Sequence, residues 1–250
     1  TPWIARRHGL DAISWAKAGL VDLIVVSPFW PSLDSDVPIE TWKGQLIGTN
    51  VPIAVALESG MHSGNANRTA THEEMRGVTL SGLARGADAV YFFNLFTGPY
   101  HRWQRDDHDQ LLKDAGSWTA LCTATRRHAL TITRPWAEGE PGKDRALPHT
   151  GSNATFRIYS GPKPLRGQHA RIELVVTDYD PPLDVRLNNI TCPWAGIVEP
   201  EHVKASGWQE PAARRHTYDV PVDAIADGYN LIQISAEQDV TITWVEISVQ

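Results

Sequence analysis

The chain has 250 residues, enough for one large domain or two ordinary ones. Its 42% hydrophobic and 21% charged residues are an ordinary globular balance, and its formal net charge of -6 argues against a nucleic-acid partner. No uninterrupted apolar run approaches the roughly 20 residues of a transmembrane helix, so no membrane partner is expected either. The chain begins at Thr1 without a signal-peptide pattern and without an initiator Met. That leaves the compartment open between secreted, periplasmic and cytoplasmic.

Residues 10–18 space Leu10, Ile13 and Trp15 as in a short amphipathic helix, and Gly19 supplies its stop. An apolar strand is predicted at 21–27. Residues 31–50 read as a Pro/Asp/Ser-rich loop with a short helix around 38–46. A second apolar strand, 51–57, ends at Glu58. The Gly/Asn/Ser/Thr-rich stretch 59–71 reads as a loop. Thr71 and Glu74 then form a capping-box signature. Met75, Val78, Leu80 and Leu83 can face a core on the helix that follows, and Gly86 closes it. A third apolar strand is predicted at 88–93. After a loop at 97–109, a helical region spans 109–128 with a break near Gly116.

Composition shifts at 134–153, where Pro, Gly and charge cluster as in a linker or a domain-crossing segment. Beyond it, strand-like stretches at 154–160, 170–177, 184–190, 216–222, 230–236 and 240–249 are separated by turn signals. Their alternation and spacing predict an antiparallel β-sandwich. The expected organisation is therefore an α/β unit at 1–133, a linker at 134–153 and an all-β unit at 154–250.

Three segments of the first unit read alike: VDLIVVSPFW, VPIAVALESG and ADAVYFFNLF. Each is a continuous apolar run that ends abruptly, the pattern of a parallel strand buried on both faces. In parallel α/β folds the chemistry sits at the C-terminal strand ends. Those ends carry Ser27–Trp30, Glu58 with Ser59, and Asn94. Glu58 is the candidate catalyst, since a carboxylate there can attack an anomeric carbon or act as general acid or base. The competing reading is a structural Glu held in an ion pair. Trp30 follows a strand end, and indole faces stack on sugar rings. Asn94 can donate to and accept from hydroxyls, or can simply satisfy its own strand end. Its neighbours Tyr91, Phe93 and Phe96 follow the same logic.

His62, His72, His101 and His108 surround this presumed mouth, and His62 and His101 are candidates to hold substrate hydroxyls. None shows helical metal-ligand spacing, so no metal is expected. No Gly-rich phosphate loop suggests an organic cofactor. Asp106, Asp107 and Asp109 are explained by helix N-terminal electrostatics. Cys122 and Cys192 are too few and too far apart for a disulfide framework, and Cys122 reads as a small buried apolar residue. Among the ten tryptophans, Trp194, Trp208 and Trp244 are candidates to line a carbohydrate groove; Trp244 sits in an alternating strand and reads more as core, and Trp208, in a polar loop region, is the better surface candidate. The three Asn-x-Ser/Thr sequons, at Asn67, Asn153 and Asn189, matter only where the source glycosylates secreted proteins.

"GLDAISWAKAGLVDLIVVSPFW" and "EEMRGVTLSGLARGADAVYFFNLF" resemble parts of bacterial glycoside-hydrolase-like (β/α)8-barrel proteins with an accessory β-sandwich. The resemblance covers residues 9–96. It implies that the chain holds the last three strands of a partial (β/α)8 barrel, followed by an antiparallel β-sandwich. Glu58 then falls at the end of strand seven, where retaining barrel glycosidases carry their nucleophile. Their acid/base partner lies on strand four, which this chain does not contain. Hydrolysis needs a second carboxyl, about 5–5.5 Å away for retention or roughly 6.5–9.5 Å for inversion. The missing N-terminal half of the barrel, another chain, or Asp34 or Asp36 would have to supply it. The implied function is glycoside hydrolysis on a carbohydrate substrate. The alternative is a non-catalytic carbohydrate-binding or surface-assembly module that retains an enzyme-like fragment.

Overall fold

A computed structural model describes residues 1–28, 32–63, 66–98, 103–131, 146–198 and 213–250 of the protein. Two short helices open it, α1 (Pro2–Arg7) and α2 (Ala12–Lys17), capped by the side chains of Thr1 and Asp11. Then come β1 (Ile24–Val26), α3 (Ile39–Gln45), β2 (Ile53–Glu58), β3 (Gly60–Ser63), β4 (Ala66–Thr69), α4 (His72–Ala84) and β5 (Ala89–Phe93). β1, β2 and β5 pair in parallel and in chain order, with Val26 opposite Val55 and Val55 opposite Val90. The Asp88 carboxylate pins the start of this sheet. It accepts from the Ile53 amide at 2.8 Å and from Lys43 Nζ at 2.6 Å.

After α5 (Arg105–Ala115) and α6 (Trp118–Thr123) the chain becomes strand: β6 (Arg126–Ala129), β7 (His149–Tyr159), β8 (Ala170–Thr177), β9 (Asp184–Leu187), β10 (Ile190–Thr191), β11 (Trp194–Val198), β12 (Ala213–Val220) and β13 (Tyr229–Val249). These eight strands form one antiparallel sheet organised around β13. The first half of β13 pairs with β9 and with β7, whose pairing resumes at Val240–Ile242 after a register shift, and its second half pairs with β8 and β6. One long strand thus carries the sheet around a bend, curling it into a half-barrel. Phe156, Ile158, Ile172, Leu174, Leu187, Ile232 and Ile247 fill its interior.

The expectation of a partial (β/α)8 barrel followed by an antiparallel sandwich is corrected by this topology. Three parallel strands make an open sheet and close no barrel. Sheet dominates, with six α-helices among the described residues. The antiparallel strands belong to one curled sheet. The polar residues Glu237–Asp239 between the predicted strands 230–236 and 240–249 read as a turn, but the backbone absorbs them in a register shift between Ser235 and Val240 within β13. A bulge adds residues without ending a strand, and it increases the local bend. Two smaller differences share this origin. Residues 59–71 hold the β3–β4 hairpin, with Met61 opposite Arg68. The end of the presumed helical region 109–128 is β6, paired with β13.

Helix α4 joins the two sheets. Its capping box is complete: Thr71 Oγ1 accepts from the Glu74 amide at 3.3 Å, and Glu74 Oε2 accepts from the Thr71 amide at 2.7 Å. A Cβ at Gly82 would lie 2.6 Å from Val55 Cγ1, and one at Gly77 would lie 1.9 Å from the Arg127 carbonyl oxygen. Helix backbone therefore sits against β2 on one side and β6 on the other. Trp244 and Val175 of the curled sheet share a core with Met61, Met75 and Leu57.

Charge is buried along the same seam. Arg68 grips Glu74 through both nitrogens of its fork, one at 2.8 Å, and lies 4.9 Å over the Trp244 ring. Arg127 contacts Glu173 at 3.1 Å and also Glu246, while Arg215 contacts both of those carboxylates. Trp244 Nε1 donates to Glu246 Oε2 at 2.9 Å. Three arginines and three glutamates balance one another, which is the condition for burying charge at tolerable cost. A second knot holds the rim. Arg85 bonds Asp36, Glu40 and the Tyr229 hydroxyl, with its guanidinium over the rings of Tyr159 and Tyr229.

Candidate active site

β2 is apolar up to Glu58 because neighbours flank both its edges and α4 covers one face. Ile53, Val55 and Leu57 point into the shared core, where Val90 and Phe92 of β5 join them. Alternation puts Ala54, Ala56 and Glu58 on the opposite face. Paired residues of neighbouring strands share a face. Glu58 is the register partner of Phe93, Ala56 of Tyr91 and Ala54 of Ala89. Val25 of β1 faces the same way, opposite Ala54.

Glu58 thus ends β2 on the face turned away from the core, yet it is only 9% exposed. Among the described residues its carboxylate has no hydrogen bond or ion pair. Burial alone pushes its pKa above the ordinary glutamate value. The structural-Glu alternative predicts a cation or a helix terminus beside it, and the described residues supply neither. Every other glutamate as deeply buried sits in an ion pair, as Glu74, Glu173 and Glu246 show.

The adjacent strand end is tied to this one. Ser59 Oγ donates to the Asn94 carbonyl oxygen at 3.4 Å. Asn94 adopts φ +54, the left-handed region that Asn tolerates better than most residues, and it is exposed. The loop after β1 approaches the same end, where the Leu33 amide donates to the Gly60 carbonyl at 2.7 Å.

Of the residues singled out in the sequence, Glu58 and Asn94 meet on neighbouring strand ends. His62 takes its place in β3 opposite Asn67. Trp30 and His101 lie outside the described residues, as does Trp208. Trp194 is exposed on β11, and Trp244 is core. Asp36 is engaged by Arg85, Arg157 and Tyr229. Asp34 Oδ1 accepts from the Asp36 amide at 2.8 Å. No group of three or more His, Cys, Asp or Glu among the described residues is arranged to hold a metal ion.

Sequence reasoning gave Phe93 and Tyr91 only as neighbours of Asn94. The register makes them neighbours of Glu58. The signal is present in the alternation of Ala89, Tyr91 and Phe93 against Val90 and Phe92. A run apolar on both faces hides which face is open.

The chain matches no known protein-family model and no curated protein sequence.

Proposed function

We propose that this chain contributes to hydrolysis of a glycosidic bond, with Glu58 as one member of a carboxylate pair. The observation that carries this reading is a nearly buried carboxyl at the C-terminal end of a parallel strand, without a partner among the described residues and with its pKa raised by desolvation. Carboxyls whose pKa is raised by burial, with no structural partner, are enriched at functional sites. The resemblance of residues 9–96 to glycoside-hydrolase-like proteins supports the same reading.

A raised pKa suits one role above the other. A carboxyl whose pKa is raised by burial holds its proton to a higher pH than an ordinary glutamate, and in that form it can deliver the proton to the glycosidic oxygen as the C1–O bond breaks. The leaving alcohol then departs neutral. The second carboxyl, outside the described residues, attacks the anomeric carbon or draws a proton from the attacking water. Asn94, exposed at the neighbouring strand end, would bond a hydroxyl of the bound sugar.

The test is turnover by the full-length protein on a panel of aryl glycosides and soluble polysaccharides. Glu58→Gln keeps the side-chain shape and removes the proton. It should lower kcat by about 10³-fold, which corresponds to roughly 4 kcal/mol of transition-state stabilisation. A Glu58→Gln protein with wild-type turnover would falsify the assignment.

A further inference from the structure

The face that carries Glu58 also carries an aromatic surface. Phe93 is the direct register partner of Glu58, and Tyr91 lies two residues earlier on the same face. Their ring centroids are 6.5 Å apart and their planes are inclined by 37°. Phe93 is 39% exposed and Tyr91 49%. Ala54, Ala56 and Ala89 beside them are small, so the rings stand above a low floor. Glu58 is the one ionisable carboxyl on this face of the three strands. The face thus pairs an aromatic surface with one carboxyl, Glu58, and the Tyr91 hydroxyl as groups that can hydrogen-bond.

We propose that Phe93 and Tyr91 form a platform for the apolar face of a pyranose ring, holding the glycosidic oxygen at Glu58. The proposal rests on the reading of Glu58 given above and adds to it the substrate class and two positioning residues. Two surfaces must be matched at once. An apolar polypeptide cover would match the rings but would seal off the Glu58 carboxyl, which has no partner among the described residues, an unfavourable burial. A pyranose offers both kinds of surface. Its axial C–H bonds present an apolar face to aromatic rings, and its hydroxyls and ring-linking oxygens lie at the edge. Aromatic surfaces with a few convergent polar groups are the usual lining of small-ligand sites. With their rings 6.5 Å apart along one strand, Phe93 and Tyr91 would carry consecutive sugar units of one oligosaccharide in turn.

The experiment is isothermal titration of the protein with cellohexaose, xylohexaose, mannohexaose and maltohexaose. It uses the wild type, Phe93→Ala, Phe93→Tyr, Tyr91→Ala and, as a control on a distant exposed aromatic, Trp118→Ala. Sedimentation velocity is run on each. At least one hexasaccharide should bind the wild type. Phe93→Ala should weaken that binding about tenfold, on the scale of one lost aromatic contact. Phe93→Tyr should restore it, and Trp118→Ala should leave it unchanged. Repeating the titration with Glu58→Gln separates the two readings. Binding that depends on Phe93, in a protein whose turnover ignores Glu58, keeps the platform and removes the catalyst. Failure of all four sugars to bind at millimolar concentration overturns the platform, as does wild-type affinity in Phe93→Ala. A wild-type dimer that Phe93→Ala converts to monomer also overturns it, because the face would then be covered by a second copy.

Discussion

The Arg127 carbonyl oxygen lies where the Cβ of any residue other than glycine would stand at position 77, only 1.9 Å from that point. Helix α4 can approach β6 this closely because the helix presents bare backbone there. Gly77→Ala forces the helix away from the strand and disturbs the ionic seam that Arg127 joins. Overpacking of this kind costs about 1–3 kcal/mol, and urea unfolding should show a loss at the upper end of that range. Gly44 in α3 is the control, because nothing lies within 4 Å of a Cβ added there and its φ is ordinary. Gly44→Ala should stabilise by about 0.5–1 kcal/mol through helix propensity alone. Equal effects from the two substitutions would mean that α4 is not wedged between the sheets.

Glu246 is fully buried and meets Arg127, Arg215 and the Trp244 indole at once. Its removal leaves two buried guanidinium groups short of a counter-charge. Glu246→Ala should cost about 3–5 kcal/mol, the range for breaking a buried ion pair from one side. A double-mutant cycle with Arg127→Met would show strong coupling, since removing both partners relieves the unpaired charge. Additive losses would mean that the two side chains stabilise the seam independently.

The parallel strands were legible because their signal is local: three apolar runs of strand length, each closed by polar residues. The capping box at Thr71 and Glu74 was legible for the same reason. The curl of the larger sheet was not, because it depends on one strand serving two sets of partners. Nothing within Glu237–Asp239 says whether three polar residues turn the chain or bulge it. The buried carboxylates left only a trace, as single glutamates inside the apolar runs ARIELVVT and TITWVEISV. Their partners, Arg127 and Arg215, lie far away in sequence. At the candidate site, the position of Glu58 at a strand end could be read in advance. Its isolation from every described cation and its pairing with Phe93 required the register.

His128 is enclosed completely, and burial, aided by the nearby Arg126 charge, pushes its pKa down to about 3. Its Nδ1 lies 3.2 Å from Ser81 Oγ. An imidazole in the unfolded chain takes up a proton near pH 6.5. Between those values the unfolded state binds the extra proton, so stability falls as pH drops from about 6.5 towards 3. One proton of difference corresponds to a slope of about 1.4 kcal/mol per pH unit. His128→Gln removes this contribution and should flatten the dependence of unfolding free energy on pH between 6 and 4. A variant whose slope matches wild type would show that His128 takes up its proton without unfolding.

Glu58 has the opposite linkage. Burial raises its folded-state pKa, so the folded chain holds its proton to a higher pH than the unfolded chain does. Just above the ordinary glutamate value the unfolded state is the one that has already released its proton. Stability is therefore lost as pH rises through the window between the unfolded and the folded value. Glutamine cannot ionise and resembles the protonated acid in shape. Glu58→Gln should be more stable than wild type in urea at pH 7, and the difference should shrink as pH falls below the ordinary carboxylate range. A residue kept for structure behaves the other way. An ion-paired glutamate would stabilise the fold in its charged form, and its amide variant would unfold more easily at pH 7. Such a loss would assign Glu58 a structural role and remove the basis for a catalytic one. A gain in stability with a loss of turnover is the pattern of a carboxyl held in an unfavourable environment for its chemistry.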